Sequence, residues 1–295
     1  MSALKYPALY YSANTASGKA QKTYLRFFRS TLLLLIFGAL LGSVSVTSEC
    51  WQHASKILSA VLLGISFFLS STLKIMSPER AWFGARAVAE SVKSMSWRYS
   101  VGGAPYGLDL PEHDADMKFT GELISILQER RNLAWNFAVE VPDAPQIPPE
   151  MRECRRRSTV DRLTLYLRER LEDQRHWYAS KAAESRNLHL RWFWAATLPQ
   201  AAALISAILM IPATASPINP TGAFAAIAAA AMAWVQMKRY QDLAQAYALA
   251  AHELGVIQVQ AQHVSNEDEL SAFVANAENA ISREHTMWVA RRDVG

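Results

Sequence analysis

Residues 192–237 read WFWAATLPQAAALISAILMIPATASPINPTGAFAAIAAAAMAWVQM, 46 positions without an Asp, Glu, Lys, Arg or His. A hydrocarbon core of roughly 30 Å takes about 20 apolar helical residues, with a floor near 17. The stretch is therefore long enough for two spans and a turn. Pro212, Pro217 and Pro220, with Asn219 and Gly222 beside them, put the turn in its middle. Two shorter runs repeat the pattern nearer the N-terminus: 19 uncharged residues separate Arg29 from Glu49, and 17 separate Lys56 from Lys74. Spans are expected over 31–47, 57–73, 192–211 and 221–237.

A soluble helical core accounts poorly for these runs. Helices in such a core usually show a polar stripe. Leu32, Leu33, Leu34, Leu35, Ile36 and Phe37 are consecutive and cover every face of a helix. No stretch carries a convincing strand pattern. The expected fold is an all-α membrane protein: four transmembrane helices as two hairpins, with long cytoplasmic helical extensions.

Basic residues orient the hairpins. Lys19, Lys22, Arg26 and Arg29 precede the first span, and Lys74, Arg80 and Arg86 follow the second. Arg186 and Arg191 precede the third, and Lys238 and Arg239 follow the fourth. The loops within the hairpins hold only Glu49 and Lys56 as formal charges. Excess Lys and Arg marks the cytoplasmic side, so both termini and the central region are expected there, in a multi-pass protein of the cell inner membrane. The leading segment of about 30 residues exceeds the basic region of a cleaved secretion signal. The net charge of +4 and pI near 9.1 then report topology rather than nucleic-acid binding. Trp51, Trp192, Trp194 and Trp234 lie near the span ends, as interfacial aromatics do.

The chain divides into a first helix–span–span–helix unit over 1–98, a linker with one amphipathic helix over 99–160, and a second such unit over 161–295. A shift of 167 positions aligns Tyr10-Tyr11-Ser12 with Trp177-Tyr178-Ala179, Lys19 with Arg186, and Phe27 with Trp194, which points to internal duplication. In the linker, Gly102, Gly103, Pro105 and Gly107 open a loop. Phe119, Leu123, Ile126, Leu127, Leu133 and Phe137 recur near a 3.6 period over 119–140. Pro142, Pro145, Pro148 and Pro149 mark an extended segment. Residues 151–189 read as one long charged helix with a stripe of Leu163, Tyr166, Leu167 and Leu171. A cap over 266–269 opens a last helix with the face Leu270, Phe273, Val274, Ala277, Ile281, Trp288 and Val289.

No catalytic, cofactor or metal set emerges. Ser17-Gly18-Lys19-Ala20 lacks the first glycine and the closing hydroxyl of a phosphate loop, and His252-Glu253 has Val256 where a zinc-protease helix carries its second histidine. Glu112, His113, Asp114 and Asp116 read as an acidic surface loop, and Arg155, Arg156 and Arg157 as a solvated face. Cys50 and Cys154 are expected as free thiols on opposite sides of the bilayer. The spans lack the ionisable groups of a mid-membrane ion relay. Their polar residues are small: Ser59, Ser66 and Ser70 share one helix face, and Gln200 sits in the third span. These are candidates for pore lining or inter-helix contact. Gly38 with Gly42, and Ala226 with Ala230, are spaced for close helix packing.

Trp177-Tyr178-Ala179-Ser180-Lys181-Ala182 ahead of a two-span hairpin, the basic-aromatic helix from Trp234 to Glu253, and the terminal run from Glu278 to Trp288 together resemble the SLATT family. These are two-transmembrane effector domains associated with nucleotide-second-messenger synthases in bacterial conflict systems. The resemblance covers 170–292 best, with 10–98 as a more divergent copy. It implies a non-enzymatic, homo-oligomeric effector that opens a pore in, or disrupts, the lipid bilayer when a sensor protein or a nucleotide second messenger activates it. It further implies a receiving interface that includes Trp177, Tyr178, Arg186, Glu284 and Trp288. The competing readings are a housekeeping small channel or membrane scaffold, and an enzyme using Glu112, His113 and Asp114.

Overall fold

The computed structural model describes the backbone of residues 4–43, 49–129, 144–212 and 219–293, and the side chains of these except Glu49 and 283–293. Leu133, Phe137 and Pro142, and the side chains of Glu284, Trp288 and Val289, thus lie outside the described residues. In chain order the helices are α1 (Ala8–Gly42), α2 (Glu49–Met76), α3 (Pro78–Val101), α4 (Glu112–Glu129), α5 (Pro149–Arg155) and α6 (Thr159–Tyr166). A π-helical stretch (Leu167–Glu172) follows, then α7 (Asp173–Met210), α8 (Thr221–Lys238), α9 (Tyr240–Gln260) and α10 (Glu267–Asp293). No strand occurs among the described residues.

The chain forms two compact units that do not follow chain order. The first comprises Met1–Gln21, Glu79–Ala182 and Gln245–Gly295; the second comprises Lys22–Pro78 and Ala183–Ala244.

The first unit is built on α3, which is buried on two sides. Trp97 and Val101 join Tyr166, Leu171, Tyr178, Leu254, Phe273 and Val274 in one core. Val88, Val92 and Tyr99 join Leu9, Ala13, Tyr106, Phe119 and Met151 in another. The helix ends because Gly102 takes a left-handed conformation, φ 75°. Gly103 N–H donates to the Arg98 carbonyl (2.7 Å) and Gly102 N–H to that of Tyr99 (3.4 Å), the paired bonds of a Schellman stop. A side chain at Gly102 would also meet Arg162 Nη1 at 2.7 Å.

Three sequence expectations are corrected in this unit. Residues 151–189 are not one helix: α5 stops at Arg155, and Ser158 caps α6, its Oγ accepting from Asp161 N–H (3.2 Å). Glu112, His113, Asp114 and Asp116 lie in the first turns of α4 rather than in a loop, where carboxylates favour the positive end of the helix dipole. Arg155 is buried rather than solvated. The expected cap of α10 is present, with Asn266 Oδ1 accepting from Glu269 N–H (2.9 Å) and Glu269 returning to Ser265 N–H (2.7 Å).

The second unit inverts the usual distribution of apolar surface. Phe67, Phe68, Ile75, Leu204, Ile208, Leu209 and Ile211 all face outward. Three helical stretches, the last two assembled from more than one of these elements, are long and apolar enough to cross a membrane: Ala8–Gly42, Cys50–Val101 and Thr159–Met210. Almost none of the most apolar part of each is buried, so it is not the buried core of a helical bundle. The fourth expected span, α8, falls outside that set. It is 18 residues long, owes much of its apolar character to alanine, and ends in Gln236 and Lys238.

Candidate functional site: the apolar hairpins and the buried arginines

In the second unit, α1 and α2 approach closely because Gly38 has no side chain. A Cβ there would meet Leu63 at 2.9 Å. The gap lets Ser59 Oγ donate to the Gly38 carbonyl (2.6 Å), and one at Gly42 would lie 3.2 Å from that same oxygen. Ser66 Oγ donates to the Thr31 carbonyl (3.0 Å). Ser59 and Ser66 are buried between the two helices, whereas Ser70 is exposed and donates to its own helix, to the Phe67 carbonyl. Hydroxyls that return to carbonyls need no water, which suits a helix pair in an apolar solvent.

The α7–α8 pair is held by the Ser206–Thr221 hydroxyl contact (3.0 Å) and by tilted ring packing of Trp192 on Trp234 at 5.5 Å. The Gln200 amide reaches the Met232 sulfur (2.9 Å). Ala230 is buried and Ala226 half-buried. Pro199 lies inside α7, where it removes one backbone donor. The two hairpins also touch: Phe28 packs on Trp234 (6.2 Å), and Asn219 N–H donates to the Ser43 carbonyl (3.2 Å). Thus α1 and α8 run antiparallel with matched ends.

Each hairpin is followed by a helix reached through one residue in a left-handed conformation. Ser77, φ 43°, separates α2 from α3, and Arg239, φ 50°, separates α8 from α9. Pro78 at the start of α3 has no N–H to satisfy there.

The first unit places three arginines in its interior. Arg170, carried by the π-helical stretch, binds Glu278 through Nε and Nη2, both at 2.8 Å. Tyr166 donates to the same carboxylate (3.0 Å). Burial pushes the Arg170 guanidinium down, but the Glu278 charge and its hydrogen bonds more than offset this and leave it raised. Among the described residues Arg155 forms no ion pair with a carboxylate. It donates to the carbonyls of Tyr99, Tyr106, Gly107 and Leu110 and lies over the Tyr99 ring. Arg162 donates to the Val101 carbonyl and to Glu267.

Glu112 pairs with Arg156 (2.8 Å) and Asp116 with Arg152 (2.7 Å), while His113 and Asp114 are exposed. Among the described residues no group of three or more His, Cys, Asp or Glu is placed to hold a metal ion. Cys50 is exposed and Cys154 buried, both free; burial pushes the Cys154 thiol up to about 11. Trp177 and the buried Tyr178 pack their rings on Tyr247, at 5.4 and 5.8 Å. Arg186 is exposed.

Sequence reasoning misread Arg155 as solvated and missed the buried roles of Arg162, Arg170 and Glu278. The Arg170 and Glu278 partners are far apart in the chain, and single-sequence patterns carry no trace of their contact. The break before α6 did have a trace, since Ser158 with Asp161 is a capping pair.

Two family models match the chain in tandem. The one described as SMODS and SLOG-associating 2TM effector domain 3 matches residues 7–163, and the one described as domain 1 matches residues 166–288. No curated protein and no solved structure matches the chain.

Proposed function

Because the chain belongs to the family of SMODS- and SLOG-associating 2TM effector domains, and holds two of them in tandem, we propose that it is a non-enzymatic membrane effector of a bacterial conflict system. Both hairpins cross the inner membrane, giving four spans with both termini in the cytoplasm. Several copies assemble, and on activation by a sensor-type partner they open a path through the bilayer or disrupt it. A SMODS- or SLOG-linked nucleotide signal reaches the chain through that partner.

The observation that carries this reading is the outward apolar surface of α1, α2 and α7, flanked at its ends by Arg and Lys. α8 counts as the fourth span because its ends match those of α1, and 18 residues at 1.5 Å rise reach about 27 Å. Assembly is supported by α9. Leu249, His252, Val256 and Val259 are exposed at heptad spacing with no carboxylate, Lys or Arg among them. Such a stripe suits a second copy of itself, since like charges do not meet across it.

Forced clustering replaces the unknown trigger in the test. The full chain, fused after Gly295 to a chemically induced dimeriser, is reconstituted in vesicles loaded with a quenched dye. Adding the dimeriser releases the dye, and Val256→Asp blunts the release. Release no greater than from protein-free vesicles contradicts the proposal.

A further inference from the structure

Arg29 and Lys238 are the cations that bound the first and the last uncharged runs, and they meet on one ring. The Arg29 guanidinium carbon lies 5.1 Å from the Trp234 ring centre, and Lys238 Nζ lies 5.3 Å from it. The two charges therefore stand no farther apart than about twice that distance. Trp234 is held in place: it is buried, it packs at a tilt against Trp192 and Phe28, and its Nε1 donates to the Tyr240 hydroxyl (3.2 Å).

No carboxylate among the described residues forms an ion pair with either cation. Asp242, one turn along the chain, pairs with Arg239 (2.8 Å), and Arg29 faces Lys238 as a like charge. The indole face offsets part of this repulsion, because its quadrupole attracts cations. It supplies no full negative charge. Glu184 and Arg29 both act on the adjoining Tyr240, yet neither cation on the platform has an ion-pair partner among the described residues, which leaves the electrostatic set incomplete.

The geometry points to a binding site for a phosphate-bearing anion between α1 and α8, either the headgroup of an anionic phospholipid or free phosphate. The lipid source rests on the membrane reading above. The site stands where the uncharged helices end, the level at which interfacial tryptophans and lipid phosphates lie. The guanidinium takes two phosphate oxygens side by side, and the ammonium adds a point charge.

Native mass spectrometry of the full chain in detergent tests this, with phosphatidylglycerol, phosphatidylcholine or inorganic phosphate added. Wild type retains phosphatidylglycerol roughly tenfold better than phosphatidylcholine. Arg29→Gln/Lys238→Gln loses the preference, and Arg186→Gln keeps it. Should the double variant not fold, each single variant shows a partial loss. Displacement of the lipid by millimolar phosphate assigns the site to free phosphate; retention in its presence assigns it to lipid. Equal retention of both lipids with no phosphate effect overturns the inference, as does a double variant that keeps the preference. A chain that stays in alkali-washed membranes yet shows no preference contradicts this site alone. A chain that leaves them contradicts the membrane reading.

Discussion

Arg170 and Glu278 form a bidentate ion pair with side-chain exposures of 2% and 0%, joining the π-helical stretch to α10 inside the first unit. Removing one partner from such a pair leaves a buried charge and costs about 3–5 kcal/mol, whereas replacing both with apolar groups costs much less. Glu278→Gln is expected to destabilise the protein by roughly that amount. Arg170→Met/Glu278→Leu recovers most of it. Denaturant unfolding in detergent, followed by near-UV circular dichroism, measures both.

The left-handed residues after each hairpin give a gain rather than a loss. Ser77 and Arg239 hold φ of 43° and 50°. A residue with a Cβ is strained there by about 1 kcal/mol and glycine is not. Arg239→Gly is therefore expected to raise stability slightly despite losing the 2.8 Å contact to Asp242, which is exposed and contributes little. Ser77→Gly gives the same sign. Shifts of the thermal midpoint read the effect.

Close approach of α1 and α2 depends on Gly38. Gly38→Val puts carbon into a space already filled by Leu63. Overpacking of this kind costs about 1–3 kcal/mol. Leu63→Ala in the same chain relieves part of it, so a double-mutant cycle over the two positions should show coupling. Additive effects would mean that the two helices do not meet there.

Much of the second unit was legible in its sequence, because an outward apolar surface leaves a coarse trace. Runs between Arg29 and Glu49 and between Lys56 and Lys74 needed only a count of missing charges. α8 was harder: its alanines are apolar enough to be free of charge yet short of a strong span. The first unit was legible where periodicity carried it, as for Leu270, Phe273, Val274, Ala277 and Ile281, all buried. The triple arginine at 155–157 misled. Sequence weighs each arginine as a surface charge, while the four carbonyls that converge on Arg155 come from the end of α3 and the loop after it, some 45 to 56 positions away.

Acid should loosen α10 first. Burial pushes the Glu267 carboxyl up, but hydrogen bonds from Arg162 and Thr159 outweigh it and leave it below its ordinary value. Hydrogen bonds from Ser265 hold Glu269 low as well. A depressed carboxylate stabilises the fold above its unfolded pKa, near 4, and this contribution is lost as pH falls through the folded value. Hydrogen exchange at the start of α10 should therefore stay flat from pH 7 to about 5 and accelerate, relative to intrinsic rates, below about 4. Glu267→Gln should weaken that acid response.

The native Cys50 offers the most direct test of the membrane arrangement. It is exposed, it lies between the first two uncharged runs, and Cys154, the other thiol, is buried. In a Cys154→Ser chain, a membrane-impermeant maleimide applied to intact spheroplasts should label Cys50 fully, while a cysteine placed at Ser2 should react only after lysis. Labelling of Cys50 only after lysis would contradict the account.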